Sequence, residues 1–180
     1  MKRSVKSVFV AATVAASGLV VTGAVPLMSS VSMASSATIQ SCVPTHMKVS
    51  HGAPQGAAGT TYIPLIFTNT GSACAIFGVP SIQPVAGVTH RRVGPAARNL
   101  SMGEMGVRHV VLKGRSVSVA FGVEDTGNFP SSNCVARRAD GVMVSLSSFV
   151  HPTYVRLAIS VCTKLASTTT KLIAAGTKGY

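Results

Sequence analysis

The stretch Ser116-Val117-Ser118-Val119-Ala120-Phe121-Gly122-Val123 decides the fold. Successive side chains of an extended chain point to opposite faces. Val117, Val119, Phe121 and Val123 therefore share one face, and Ser116, Ser118, Ala120 and Gly122 share the other. This period of two marks a strand with one face in a core. The alternation returns downstream, where Val142, Val144 and Leu146 interleave with Met143, Ser145 and Ser147. Val155, Leu157, Ile159 and Val161 interleave with Tyr154, Arg156, Ala158 and Ser160. Upstream, Ile63, Leu65 and Phe67 form another inward set. Pro64 falls within that set and has no N–H to give to a ladder, so this strand is expected at a sheet edge or at a bulge. Shorter strands are expected at 46–50, 75–77, 81–85, 108–112 and 171–174.

Turn residues separate these runs. Gly52 through Gly59 is expected as a Gly/Ala/Pro loop, and Thr70-Gly71-Ser72 and Lys113-Gly114 as turns. Residues 125–130 form a longer loop, and Asp140-Gly141 favours a hairpin turn. No long apolar helix stripe follows residue 40. Short strands at this spacing predict an all-β, Ig-like antiparallel β-sandwich. The chain has no Trp, so the Cys…Trp…Cys signature of antibody domains is absent and only the Ig-like topology is expected. The chain divides into an N-terminal segment at 1–37, one sandwich domain at 38–166, and a closing strand or tail at 167–180.

The first segment reads as a signal peptide with a short linker. Lys2, Arg3 and Lys6 precede an apolar run from Val8 through Val21 that Gly23 and Pro26 end. Small residues follow, and cleavage is expected after Ala34 or Ala37. An uncleaved membrane anchor is the alternative, and this segment is the sole membrane contact expected. A lipid anchor at Cys42 fits less well, because Cys42 lies far past the apolar run. Removing Lys2, Arg3 and Lys6 from a chain of net charge +12 leaves +9. In an exported chain an even number of cysteines means disulfides. Cys42, Cys74, Cys134 and Cys162 allow three connectivities, and their spacing does not choose among them. No C-x-x-C is present, which argues against a redox motif or a zinc ribbon.

Motifs that carry chemistry are scarce. Four Asp+Glu in the whole chain argue against chemistry that needs several carboxylates, such as a two-metal site or a glycosidase pair. There is no G-x-S-x-G, H-E-x-x-H or phosphate-binding G-x-x-x-x-G-K-[ST] run. Gly56-Ala57-Ala58-Gly59-Thr60-Thr61 lacks the lysine that would meet a phosphate and reads as a plain loop. His46, His51, His90, His109 and His151 do not share ligand spacing, so no metal or cofactor is expected. Glu124 and Asp125 are adjacent on a strand end and point apart, with Asp125 better suited to capping a turn. Asn99-Leu100-Ser101 matches the glycosylation sequon.

The remaining signal is positive charge. Arg91-Arg92 and Arg137-Arg138 are pairs, joined by Arg98, Arg108, Lys113, Arg115 and Arg156. Aromatics make up only 5% and do not interleave with the basic residues, so nucleic acid is not expected as a partner. An exported cation would instead meet an anionic cell-wall polymer or polysaccharide. Arg91, Arg92, Arg137 and Arg138 are the candidate polyanion-binding residues, and they should then lie on one face. The competing reading is a solvated face that keeps the protein soluble.

One longer pattern spans most of the chain. Cys42 opens it, and a Gly-rich loop ending at Gly59 leads into Tyr62-Ile63-Pro64-Leu65-Ile66-Phe67-Thr68-Asn69-Thr70-Gly71-Ser72-Ala73-Cys74. Gly78-Val79-Pro80, Leu112-Lys113-Gly114 and Asn128-Phe129-Pro130 follow, the last ahead of Cys134. This resembles the domain of unknown function 4232 family, found mainly in actinobacterial envelope and secreted proteins. The resemblance implies an Ig-like sandwich outside the membrane, with Cys42 paired to Cys74 and Cys134 to Cys162. It implies no known reaction and no catalytic residues. Cys162 has the parity of Arg156, opposite to Val161, so the second bridge is expected at a strand end or on an outer sheet face. The expected protein is a secreted, non-enzymatic β-sandwich associated with the cell envelope. The alternative is an exported, hydrolase-like enzyme with a site near the Asp125 loop.

Overall fold

The computed structural model describes residues 38–180, so the signal segment expected at 1–37 lies outside the described residues. Thirteen strands run through them: β1 (Met47–His51), β2 (Gln55–Ala57), β3 (Thr60–Asn69), β4 (Cys74–Ile76), β5 (Ser81–Ala86), β6 (Arg91–Arg92), β7 (Arg98–Asn99), β8 (His109–Val111), β9 (Ser116–Glu124), β10 (Ala136–Ser145), β11 (Thr153–Cys162), β12 (Thr168–Thr170) and β13 (Ala174–Ala175). One sheet has the order β1-β3-β9-β12-β7, with β2 also beside β3 and β13 also beside β9. The second has the order β11-β10-β5-β6, and β4 and β8 form a two-stranded ribbon. The pairs are antiparallel except β12 with β7.

The alternating runs meet as their period requires. Ile63, Leu65 and Phe67 of β3 and Val117, Val119 and Phe121 of β9 form one wall of the core. Ile82, Val142, Val144, Val155, Leu157, Ile159 and Val161 form the facing wall. Phe149 closes one end, edge-on to Phe67 at 6.5 Å. Full burial of a side chain such as Phe67 or Phe121 contributes about 1.5–3 kcal/mol, so these few positions carry much of the fold. The molecule is an all-β, Ig-like sandwich with two disulfides. Cys42 bonds to Cys74 and Cys134 to Cys162, and Cys162 is the last residue of β11, at a strand end.

Pro64 is not at an edge. It lies on β3 between the β1/β2 flank and β9, in unbroken register opposite Ala120. Its carbonyl accepts from Gly52 N at 2.8 Å, so its nitrogen faces that same flank. There the chain between β1 and β2 has left the ladder. The Gly52 carbonyl takes its hydrogen bond from His51 Nδ1, at 3.1 Å, where Pro64 has no N–H to offer. The interruption that proline demands sits in the neighbouring strand.

Three other expectations are corrected. The 52–59 loop contains β2, which turns back into β3 through Ala58 (φ 45°) and Gly59 (φ 78°). Two successive left-handed residues match the twist of a tight hairpin. Asp140-Gly141 is not a hairpin turn. It lies inside β10, where the register with β11 shifts between Ala139 and Gly141. Glycine is needed there because the Tyr154 ring and the Val155 carbonyl press on the position where a Cβ would stand. The strand expected at 171–174 falls mostly in the break between β12 and β13, with only Ala174 in β13.

The outer face of β9 is also covered. Ser118, Ala120 and Gly122 are buried, although they belong to the polar, outward set. The C-terminal segment crosses them: Gly179 N donates to Ser118 Oγ at 2.8 Å, and Thr169 Oγ1 abuts Gly122. Their small side chains make that approach possible.

Candidate functional site

The second sheet carries the arginines. The β10–β11 register sets Gly141 opposite Arg156, and the β10–β5 register sets it opposite Val85. Val85 in turn stands opposite Arg92 of β6. Residues directly opposite share a face, so Arg156, Gly141, Val85 and Arg92 form one row across four strands. Three strand spacings make that row about 14 Å wide. Arg138 pairs with Ser160, four residues along β11 from Arg156, and lies on the same outer face about 13 Å away.

Local contacts shape this face. Arg92 Nε donates to Gln83 Oε1 at 3.0 Å, and Gln83 Nε2 donates to the carbonyls of Pro84 and Gly94. Tyr154 leans over Gly141, and its ring stacks on His90 at 4.1 Å. Its hydroxyl donates to the Asp140 carbonyl at 3.3 Å. The Asp140 carboxylate accepts from Gly87 N at 2.9 Å, so it braces the β5–β6 turn. The one ion pair among the described residues is elsewhere, between Arg98 and Glu124 at 2.6 Å. Arg92, Arg138 and Arg156 are exposed and have no carboxylate partner.

The structure divides each sequence-adjacent pair. Arg91 stands opposite Ala86 and Arg137 opposite Val161, so the pleat turns both away from Arg92 and Arg138. The four do not share one sheet face; Arg91 and Arg137 are exposed from its other side. The rule that points Glu124 and Asp125 apart applies equally to adjacent arginines in a strand. Arg156 joins Arg92 and Arg138 instead, and its parity was visible in the alternation of β11. The Tyr154–His90 stack had no local sequence signal, because it depends on how β6 is placed beside β5.

The Asp125 loop borders a cavity of about 580 Å³ lined by Gly59, Thr60, Thr61, Glu124, Thr126 and Ser160, among others. Both acids there are engaged. Glu124 holds Arg98, and Asp125 Oδ1 accepts from Gly127 N at 2.9 Å, capping the short 126–128 turn. No histidine lines this cavity. His46 and His51 stand at opposite ends of β1. Among the described residues, no three His, Cys, Asp or Glu side chains converge as a metal site. None of their helices is long and apolar enough to cross a membrane.

Fold, bridges and exposed arginines define a two-disulfide Ig-like sandwich with a basic outer sheet face. The chain belongs to the family described as Domain of unknown function (DUF4232), whose model matches residues 42–174. That span opens at Cys42 and includes both disulfides. No functionally curated protein matches the chain.

Proposed function

We propose that this domain is a non-enzymatic, exported binder of anionic cell-envelope polymers, acting through the outer face of the β11-β10-β5-β6 sheet. The observation that carries this reading is the register row that sets Arg156 and Arg92 on one face, with Arg138 further along it and no carboxylate paired to any of the three. Three arginines without carboxylate partners, whose backbone positions lie within about 14 Å of one another, match a polymer with repeated charges better than a single small anion. Two disulfides suit an oxidising compartment. Binding would displace the polymer's counterions and would depend on salt.

The test is titration of the protein with inorganic polyphosphate and, separately, with a polyuronate. Three arginine contacts to a flexible polyanion should cost about tenfold in affinity between about 0.05 and 0.15 M salt. Affinity that does not change over that range would reject the proposal.

A further inference from the structure

A second site lies on the opposite sheet. The C-terminal segment, crossing the outer face of β3 and β9, leaves a groove of about 340 Å³. Pro64 and Ala120 give it an apolar floor, and Tyr62, Tyr180, Lys171 and Lys178 complete most of the lining. Gln55 also lines it, and Tyr180 OH reaches Gln55 Oε1 at 3.4 Å. Lys178, Gly179 and Tyr180 lie beyond the span matched by the family, 42–174.

We propose that this groove binds an anionic saccharide: one or two sugar rings bearing a carboxylate or a phosphate. Its volume is at the small end of ligand sites, about 300–1,000 Å³. Tyrosine combines an apolar ring with a polar tip. A pyranose has the same division, with a C–H face for the rings and hydroxyls for Gln55 and the phenols. Tyr180 is 75% exposed, and Tyr62, whose ring edge rests near Gly122, is half-buried; both line the groove. Two lysines and no acidic side chain line the groove, so the charge selects an anion over a neutral sugar. The arginine face is on the other sheet, and this site does not depend on it.

The protein supplies its own probe. It has no Trp and three Tyr, of which Tyr62 and Tyr180 line the groove and Tyr154 does not. Tyrosine fluorescence is followed while the full chain is titrated with digalacturonate, glucose 6-phosphate and cellobiose. A saturable change with at least one anionic sugar is expected, and about tenfold or more weaker binding of cellobiose. A response to digalacturonate alone assigns a carboxylate ligand, and one to glucose 6-phosphate alone assigns a phosphate. Lys171→Gln with Lys178→Gln should weaken binding about tenfold with an unchanged melting temperature, and Tyr154→Phe should keep the response. Three results would overturn the proposal: no saturable response to either anionic sugar, equal binding of cellobiose, or loss of the response in Tyr154→Phe. Arg92→Gln, Arg138→Gln and Arg156→Gln together should leave these titrations unchanged, which separates failure here from failure of the polymer reading.

Discussion

Asn69 shows what a single buried amide does in this fold. It is fully buried at the end of β3, and its Nδ2 donates to the carbonyls of Ser72 (2.7 Å) and Val111 (2.8 Å). Its Oδ1 accepts from Gly71 N at 2.9 Å. One side chain thus ties β3, the 70–73 turn and β8 together. Removing it deletes these three buried or half-buried hydrogen bonds, each worth about 0.5–1.5 kcal/mol. Asn69→Ala should therefore lower stability by about 2–3 kcal/mol in urea unfolding; a loss within about 0.5 kcal/mol, typical of surface changes, would contradict this role. The Asn-Thr-Gly-Ser run announced a turn. It did not announce a buried amide, because a surface Asn that opens a turn has the same sequence. The parity of Arg138 and Arg156 was open to the same arithmetic that oriented the valines beside them.

The elements that the sequence displayed were the long ones. β3, β9, β10 and β11 have nine or ten residues; β9 and β11 alternate over nearly their whole length and β3 and β10 over about half of theirs, long enough that chance does not imitate them. β2, β6, β7 and β13 have two or three residues and exist because a longer strand lies beside them. That neighbour is a tertiary fact, as is the gap beside Pro64 or the Tyr154 ring above Gly141. A Pro or an Asp-Gly pair states what the backbone permits, and the neighbouring strand decides whether the chain turns. The disulfides act at this same scale. Their sequence separations are 32 and 28, so the chain-entropy cost of opening either is alike, about 3–4 kcal/mol. Replacing Cys42 with Cys74, or Cys134 with Cys162, pairwise by Ala should shift guanidinium unfolding by similar amounts. A loss below about 1 kcal/mol for either pair would show that its loop is already ordered in the unfolded chain.

At the scale of the molecule, the sandwich turns a diffuse positive charge into two differently built faces. One bears the arginine row, and the other bears a groove roofed by the chain's own last residues. Composition disclosed the excess charge, but where it concentrates depends on strand order, which no local run encodes. The decisive measurement uses the pleat itself. Arg92→Gln, Arg138→Gln and Arg156→Gln are combined in one variant, and Arg91→Gln, Arg137→Gln and Lys164→Gln in another, so both lose three charges; Lys164 lies past the end of β11, where its Nζ donates to the Ser132 carbonyl at 3.2 Å. Polyphosphate affinity is then measured for each at about 0.05 M salt, where the screening length exceeds the ~10 Å found at 0.1 M. The outer-face variant should lose about tenfold or more, and the control variant severalfold less, with both retaining the parent melting temperature. Equal losses in the two variants would mean that net charge alone governs binding, and that the outer sheet face is not the site.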